Sequence, residues 1–148
     1  MDVNLSSHQQ LLKQCIPFLS LGMDPAVVFV ASKNVPAPGK GASAYSVAKA
    51  GLTQLARIAA LELGPKGIRV NVVHPNQVFD TAIWTPKILE NRAKHYKMSV
   101  QEYKTSNLLK TEITSKDVAS LVCTMAGPVF GKTTGAQIPI DGGNERVI

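Results

Sequence analysis

The chain has 148 residues, 45% hydrophobic and 18% charged, which suits one globular domain with a substantial core. Sixteen Lys and Arg against ten Asp and Glu give a formal charge of +6, but the basic residues stand singly; a solvated surface with some phosphate attraction is expected, and no nucleic-acid partner. No apolar stretch approaches the roughly 20 residues that cross a bilayer, and Met1-Asp2-Val3-Asn4-Leu5 lacks the regions of a signal peptide, so a cytoplasmic protein without membrane contact is expected.

Cys15 and Cys123 lie in apolar segments with no metal-ligand spacing. They are expected to be small buried hydrophobes, with no disulfide and no metal. Neither an internal repeat nor a linker divides the chain, so residues 1–148 read as a single unit.

From Leu5 to about Leu21, the apolar residues Leu11, Leu12, Cys15, Ile16 and Leu19 recur at helical spacing, with Pro17 set to kink or shorten the helix. Ala26–Ala31 is a short, β-branched apolar run, as a strand buried on both faces of a parallel sheet should be. Ala44–Leu63 reads as a long helix with Ala48, Leu52, Leu55, Ala56, Ala59 and Leu63 as its apolar stripe, stopped by Gly64-Pro65. Ile68–Val73 reads as a second strand and Gly135–Ile140 as a third. Between these two, residues 79–110 form an insertion holding Trp84, Tyr96 and Tyr103, with Ser99 and Glu102 as a capping box. Thr114 or Ser115 then caps a helix running through Ala126. Alternating strands and helices imply right-handed crossovers and an α/β fold with about three parallel strands.

Tyr45 and Lys49 are four residues apart at the start of the long helix, so both side chains stand on one face. A phenol is a weak acid–base group near neutral pH, and a neighbouring ammonium favours its phenolate. Alone, the spacing is a weak signal that more often marks a solvated helix pair than a catalytic one. Ser32 follows the Ala26–Ala31 strand directly, where active-site groups emerge in open α/β sheets. Its hydroxyl could polarise a substrate carbonyl or simply serve a loop.

Val30-Ala31-Ser32 followed by Ala44-Tyr45-Ser46-Val47-Ala48-Lys49-Ala50 resembles the catalytic strand and YxxxK helix of the short-chain dehydrogenase/reductase family. Asp2-Val3-Asn4-Leu5, Gly67-Ile68-Arg69-Val70-Asn71 and Asp141-Gly142-Gly143 resemble three further family segments, so the similarity spans essentially the whole chain. The resemblance implies the C-terminal half of a Rossmann-type doubly wound sheet. It implies NAD or NADP as cofactor and catalysis by Asn4, Ser32, Tyr45 and Lys49. Tyr45 would exchange the proton with the substrate oxygen, Lys49 would support the phenolate and hold the nicotinamide ribose, Ser32 would orient the carbonyl, and Asn4 would support a water relay. Asn4 could also be only a helix cap, and Asp141-Gly142-Gly143 only a turn.

The family's Pro-Gly pair and threonine, which bind the nicotinamide carboxamide, correspond here to Pro75, Asn76, Val78 and Thr81, with Asn76 in place of glycine and Thr81 one position late. Asn tolerates left-handed conformations better than other non-glycine residues, so Asn76 need not abolish the turn. His74 is a candidate substrate ligand or a structural residue. No glycine-rich turn for a cofactor pyrophosphate precedes any strand, and Gly39-Lys40-Gly41 has the wrong spacing for one. The cofactor loop is therefore expected in a missing N-terminal half or on another chain.

The segments 79–84, 107–110 and 134–144 are similar to the dehydrogenase end of bifunctional rhamnulose-1-phosphate aldolase/dehydrogenase proteins. That resemblance implies a small hydroxyaldehyde or alcohol as substrate, in rhamnose-type sugar catabolism, with residues 79–110 as a lid over it. Trp84, Tyr96 and Tyr103 would line the pocket or pack the lid. The helices 5–21 and 44–63 resemble the pair by which family members build oligomers, so a non-catalytic assembly module is the alternative function.

Overall fold

The structure is a computed structural model in which residues 1–143 are described; Asn144, the last residue of the final quoted segment, lies outside them. Three parallel strands, β1 (Ala26–Val30), β2 (Arg69–Pro75) and β3 (Gln137–Ile140), form a sheet in the order β1-β2-β3. β1 is registered on β2 from Ala26 opposite Arg69 to Val30 opposite Val73, and β2 on β3 from Val72 opposite Gln137 to Pro75 opposite Ile140. The expected α/β order is therefore present.

Helix α1 covers Ser7–Leu19 and α2 covers Ser43–Leu63. Side chains alternate across a strand, so Phe29 and Ala31 share a face with Val70 and Val72. There they meet Leu52, Ala56, Ala59, Ala60 and Leu63 of α2, with Leu5, Leu12, Ile16 and Leu19 closing the cluster. The long helix matches its expectation to one residue because its stripe and its Gly64-Pro65 stop are local signals. Pro17 does not end α1 at once; the helix runs two residues further to Leu19.

The opposite face of β2 carries Arg69, which is 6% exposed. Its guanidinium donates to the carbonyls of Met125 (3.0 Å), Ala126 (3.0 Å) and Phe130 (3.2 Å), and pairs with Asp24. It thereby caps α5 (Ser115–Ala126) at the end where carbonyls lack partners and a cation is favoured. Thr114 starts α5 through a capping box with Asp117. Cys123 is exposed and Cys15 half-buried, correcting the expectation that both are core residues. Met125 points inward with no exposed surface, and a residue two positions away lies about 200° around the helix, on its outer face.

The strand limits also shift. β2 extends to Pro75 because the chain on either side keeps pairing with it: Lys33 N–H donates to the Pro75 carbonyl and Asn76 N–H to that of Ile140. β3 starts at Gln137 because Gly135 takes φ +75 and turns the chain. The insertion forms α3 (Pro86–His95) and α4 (Val100–Lys104), the latter with the expected Ser99–Glu102 capping box. Phe79, Ala93 and Tyr103 make its own small core, with Trp84, Leu89 and Val100 against it.

Candidate active site

At the carboxyl ends of β1 and β2 lies a cleft of about 550 Å³. Ser32, Tyr45, Lys49, Pro75, Asn76, Val78, Thr81 and Trp84 all line it, so residues spread over fifty positions of sequence meet at one place. Ser32 is held there by backbone on both sides. Ala31 N–H donates to Val73, Lys33 N–H to Pro75, and the Ser32 carbonyl accepts from Val35 N–H. The Ser32 hydroxyl oxygen accepts from Asn34 N–H at 3.1 Å, which leaves its own proton to donate.

Lys49 is 8% exposed, and its ammonium donates to the Val30 carbonyl at 2.9 Å. That bond aims the side chain across the end of β1 and leaves two protons for other acceptors. Burial pulls its pKa below the ordinary lysine value. Tyr45, one turn earlier, is 40% exposed and presents its phenol to the cleft.

Three expected site residues lie elsewhere. His74 is buried at 4% exposure behind the cleft wall, with Nδ1 2.9 Å from the Ser32 carbonyl and Nε2 3.3 Å from the Gln137 side-chain amide. A carbonyl only accepts, so Nδ1 carries the proton; the ring holds Ser32 rather than facing a ligand. Tyr96 is exposed and stacks on Tyr103 at 5.6 Å, because α3 carries it to the outer side of the insertion. Asn4 sits in a π-helical turn, Asp2–Ser6, that packs on α2 where Gly51 admits Leu5: a Cβ there would stand 3.0 Å from Leu5 Cδ2. Such turns are rare and concentrate at functional sites, but Asn4 does not line the cleft.

The left-handed residue after Pro75 is Gln77, with φ +53, rather than Asn76, which stands where the family has its glycine. Asn76 instead keeps its backbone on β3, which holds it in an extended register. Thr81, expected to bind the nicotinamide carboxamide, lines the cleft and donates its hydroxyl to the Val78 carbonyl at 3.1 Å.

Several cleft and supporting residues were not among the expected site residues. Asn34, Gln77, Ile83, Ser115 and Val118 also line the wall. Asp80 accepts from the Ser115 backbone and hydroxyl, and these bonds hold its carboxyl below the usual carboxylate range. Lys33, the residue after Ser32, and Asp141, each about 95% buried or more, form an ion pair. His8 has its pKa lowered by burial first and then by the charge of Lys49.

A parallel α/β sheet carrying a serine at one strand end and a tyrosine and buried lysine on the next helix defines an oxidoreductase-like architecture. Residues 1–145 match the family model described as enoyl-(acyl carrier protein) reductase. An uncharacterized oxidoreductase, YuxG, of Bacillus subtilis is 42% identical over 123 residues, covering 80% of this chain and 18% of that protein. An uncharacterized NAD-dependent oxidoreductase of Mycobacterium tuberculosis, Rv0687, is 31% identical over 143 residues, covering 95% of this chain and 52% of that protein. The crystal structure of a short chain dehydrogenase family protein from Francisella tularensis superposes with a TM-score of 0.80 at 26% identity, over 95% of this chain and 58% of that one. The chain belongs to the short-chain dehydrogenase/reductase family. It spans about half the length of the mycobacterial relative and less than a fifth of the Bacillus one.

Proposed function

We propose that this chain is the catalytic part of an NAD(P)-dependent dehydrogenase acting on a small hydroxyaldehyde or alcohol. The observation that carries this reading is the convergence of Ser32, Tyr45 and Lys49 on one cleft. The cleft also fits a nicotinamide: the Asn76 side-chain nitrogen is buried against it without a partner among the described residues, as a donor awaiting a carboxamide would be. When bound, the nicotinamide accepts or gives the hydride.

The protein's own groups handle the proton and the positions. In alcohol oxidation, Tyr45 takes the hydroxyl proton as phenolate while Lys49, held on the Val30 carbonyl, supplies the cation that stabilises that phenolate. Ser32 donates to the substrate oxygen and His74 fixes the segment that carries it. Pro75, Asn76, Val78 and Thr81 hold the nicotinamide end, and Trp84 closes the substrate side of the wall. Asn4 is assigned a role through the turn that seats α2 rather than by contact.

The relatives extend well beyond the matched region, which supports a pyrophosphate-binding half outside these residues, contributed by a preceding segment or another chain. The much greater length of the Bacillus relative leaves room for a further domain, which the proposed aldolase fusion in rhamnose-type catabolism requires. A cytoplasmic setting is proposed with it; among the described residues no helix is long and apolar enough to cross a membrane.

The test is turnover by the intact protein of NAD+ or NADP+ with short hydroxyaldehydes and diols, followed at the reduced-nicotinamide absorbance, beside Tyr45→Phe. Turnover lost in Tyr45→Phe with calorimetric cofactor binding retained supports the reading. Equal turnover in the variant rejects it.

A second reading, assembly through α1 and α2, rests on Leu11 (64% exposed), Phe18 (75%), Ile58 (43%) and Leu61 (78%), apolar side chains left in solvent on those two helices. Sedimentation as a monomer at micromolar concentration would count against it.

A further inference from the structure

We propose that Lys33 and Asp141 are positioning residues, whose ion pair sets the Ser32 hydroxyl for the reaction by tying the end of β1 to the turn after β3. The inference rests on the dehydrogenase reading above and adds to it two residues that act through the serine rather than on the substrate.

Lys33 follows Ser32 directly but does not line the cleft; its side chain, 2% exposed, is paired in the interior with Asp141, 5% exposed. The other bonds that tie the Ser32 segment to the sheet all run to one strand. Ala31 N–H reaches the Val73 carbonyl at 2.9 Å, Lys33 N–H reaches that of Pro75 at 3.0 Å, and His74 holds the Ser32 carbonyl, all on β2. Among the described residues β1 is an edge strand, with nothing paired on its other side. A segment held along a single seam can turn about it, and the turn carries the Ser32 hydroxyl with it. Displacing a reacting group by about 1 Å can cost about a hundredfold in rate.

The ion pair supplies the hold on another strand. β2 lies between β1 and β3, so a tie from Lys33 to Asp141, the residue after β3, spans the end of β2 and with it Pro75 and Asn76 of the cleft wall. Its far end is itself anchored. Asp141 Oδ1 accepts from Gly143 N–H at 3.0 Å, and the Gly143 and Gly142 carbonyls accept from Leu108 and Leu109 N–H at 2.9 and 3.0 Å. For stability alone, a well-packed apolar pair commonly serves as well as a buried ion pair. What the ion pair adds is a fixed length and direction, which is what a placed hydroxyl needs.

The test uses the intact protein carrying Lys33→Met with Asp141→Asn, which keeps the lysine stem and the acceptor for Gly143 and removes only the tie. Oxidation of 1,2-propanediol with NAD+ or NADP+ should fall in kcat by about tenfold to a hundredfold, with KM within about threefold. In a Ser32→Ala background the same two substitutions should change kcat by less than about threefold, because the hydroxyl they place is gone. The Asn34 amide, which donates to Ser32 Oγ at 3.1 Å, should exchange with deuterium about tenfold faster than in wild type, while the Val72 amide inside the sheet is unchanged. Asp141→Glu keeps both charges and moves the carboxylate by one methylene, so it decides the matter should the double variant not fold; it should show the same pattern with a smaller loss. Equal losses of kcat with and without the Ser32 hydroxyl, an unchanged kcat, or an Asn34 amide that exchanges as in wild type overturns the assignment alone. Wild type that turns over neither 1,2-propanediol nor lactaldehyde overturns the dehydrogenase reading and this assignment with it.

Discussion

Lys33, the residue after Ser32, and Asp141 form a buried ion pair that joins the segment after β1 to the turn after β3. The neighbouring bond from Gly143 N–H to Asp141 Oδ1, at 3.0 Å, shapes the same turn. Two ends of the sheet are thus tied together directly beside Ser32.

Removing one charge from such a pair strands the other in the interior. Lys33→Met should cost about 3–5 kcal/mol in chemical denaturation. Lys33→Met with Asp141→Asn, which keeps the turn's oxygen but strands no charge, should recover most of that loss. A single variant within about 1 kcal/mol of wild type would show that the pair anchors nothing.

Lys49 and His8 are electrostatically linked across the first helical turns. Because burial is the larger cause of the lowered His8 pKa and the Lys49 charge the smaller, Lys49→Met should raise it part of the way toward 6.5 in an NMR titration. A value that does not move would break the link. Lys49 itself has a folded pKa below its unfolded one, so the unfolded chain binds more protons between the two. Stability should therefore rise as pH increases through the window below 10.5, and this rise should be missing in Lys49→Met.

The Ser32 carbonyl demands a donor at His74 Nδ1. Nitrogen-15 spectra should show the neutral ring as the Nδ1–H tautomer. His74→Leu should destabilise the fold by about 1–3 kcal/mol through unpaired buried groups. It should also reduce kcat more than it raises KM, since Ser32 would remain present but less firmly held.

Gly142 combines φ +65 with close contact: a Cβ would lie 2.5 Å from Asn107 Cγ, a side chain that is itself fixed by two bonds to Thr111. Gly142→Ala should cost more than about 2 kcal/mol. Gly41→Ala, at φ +81 but with nothing within 4 Å, should cost only the backbone strain of about 1 kcal/mol. Similar losses at both sites would mean that the Asn107 contact is soft.

Much of the site was legible because its signals are local. The Tyr45–Lys49 spacing sets two side chains on one face of any helix, and Ser32 follows its strand by one residue. The same holds for the capping box at Ser99, which spans four residues, and for the helix start at Thr114, left open in the sequence between Thr114 and Ser115. The positions of His74, Tyr96 and Asn4 were less legible, since which way a strand residue faces, or which side of an insertion is outermost, depends on what packs against it. Cys123 fell on the wrong side for that reason.

The sequence by itself determined the alternation of helix and strand, the family, and the placing of Tyr45 and Lys49 on one helix face, all written in short-range periodicity and motif. Only the tertiary structure decided that Lys33 meets Asp141 across 108 positions, and that Gln77 and not Asn76 takes the left-handed turn. Those relationships arise from parallel strands laid side by side, where register brings distant residues into contact and no local pattern records which ones will meet.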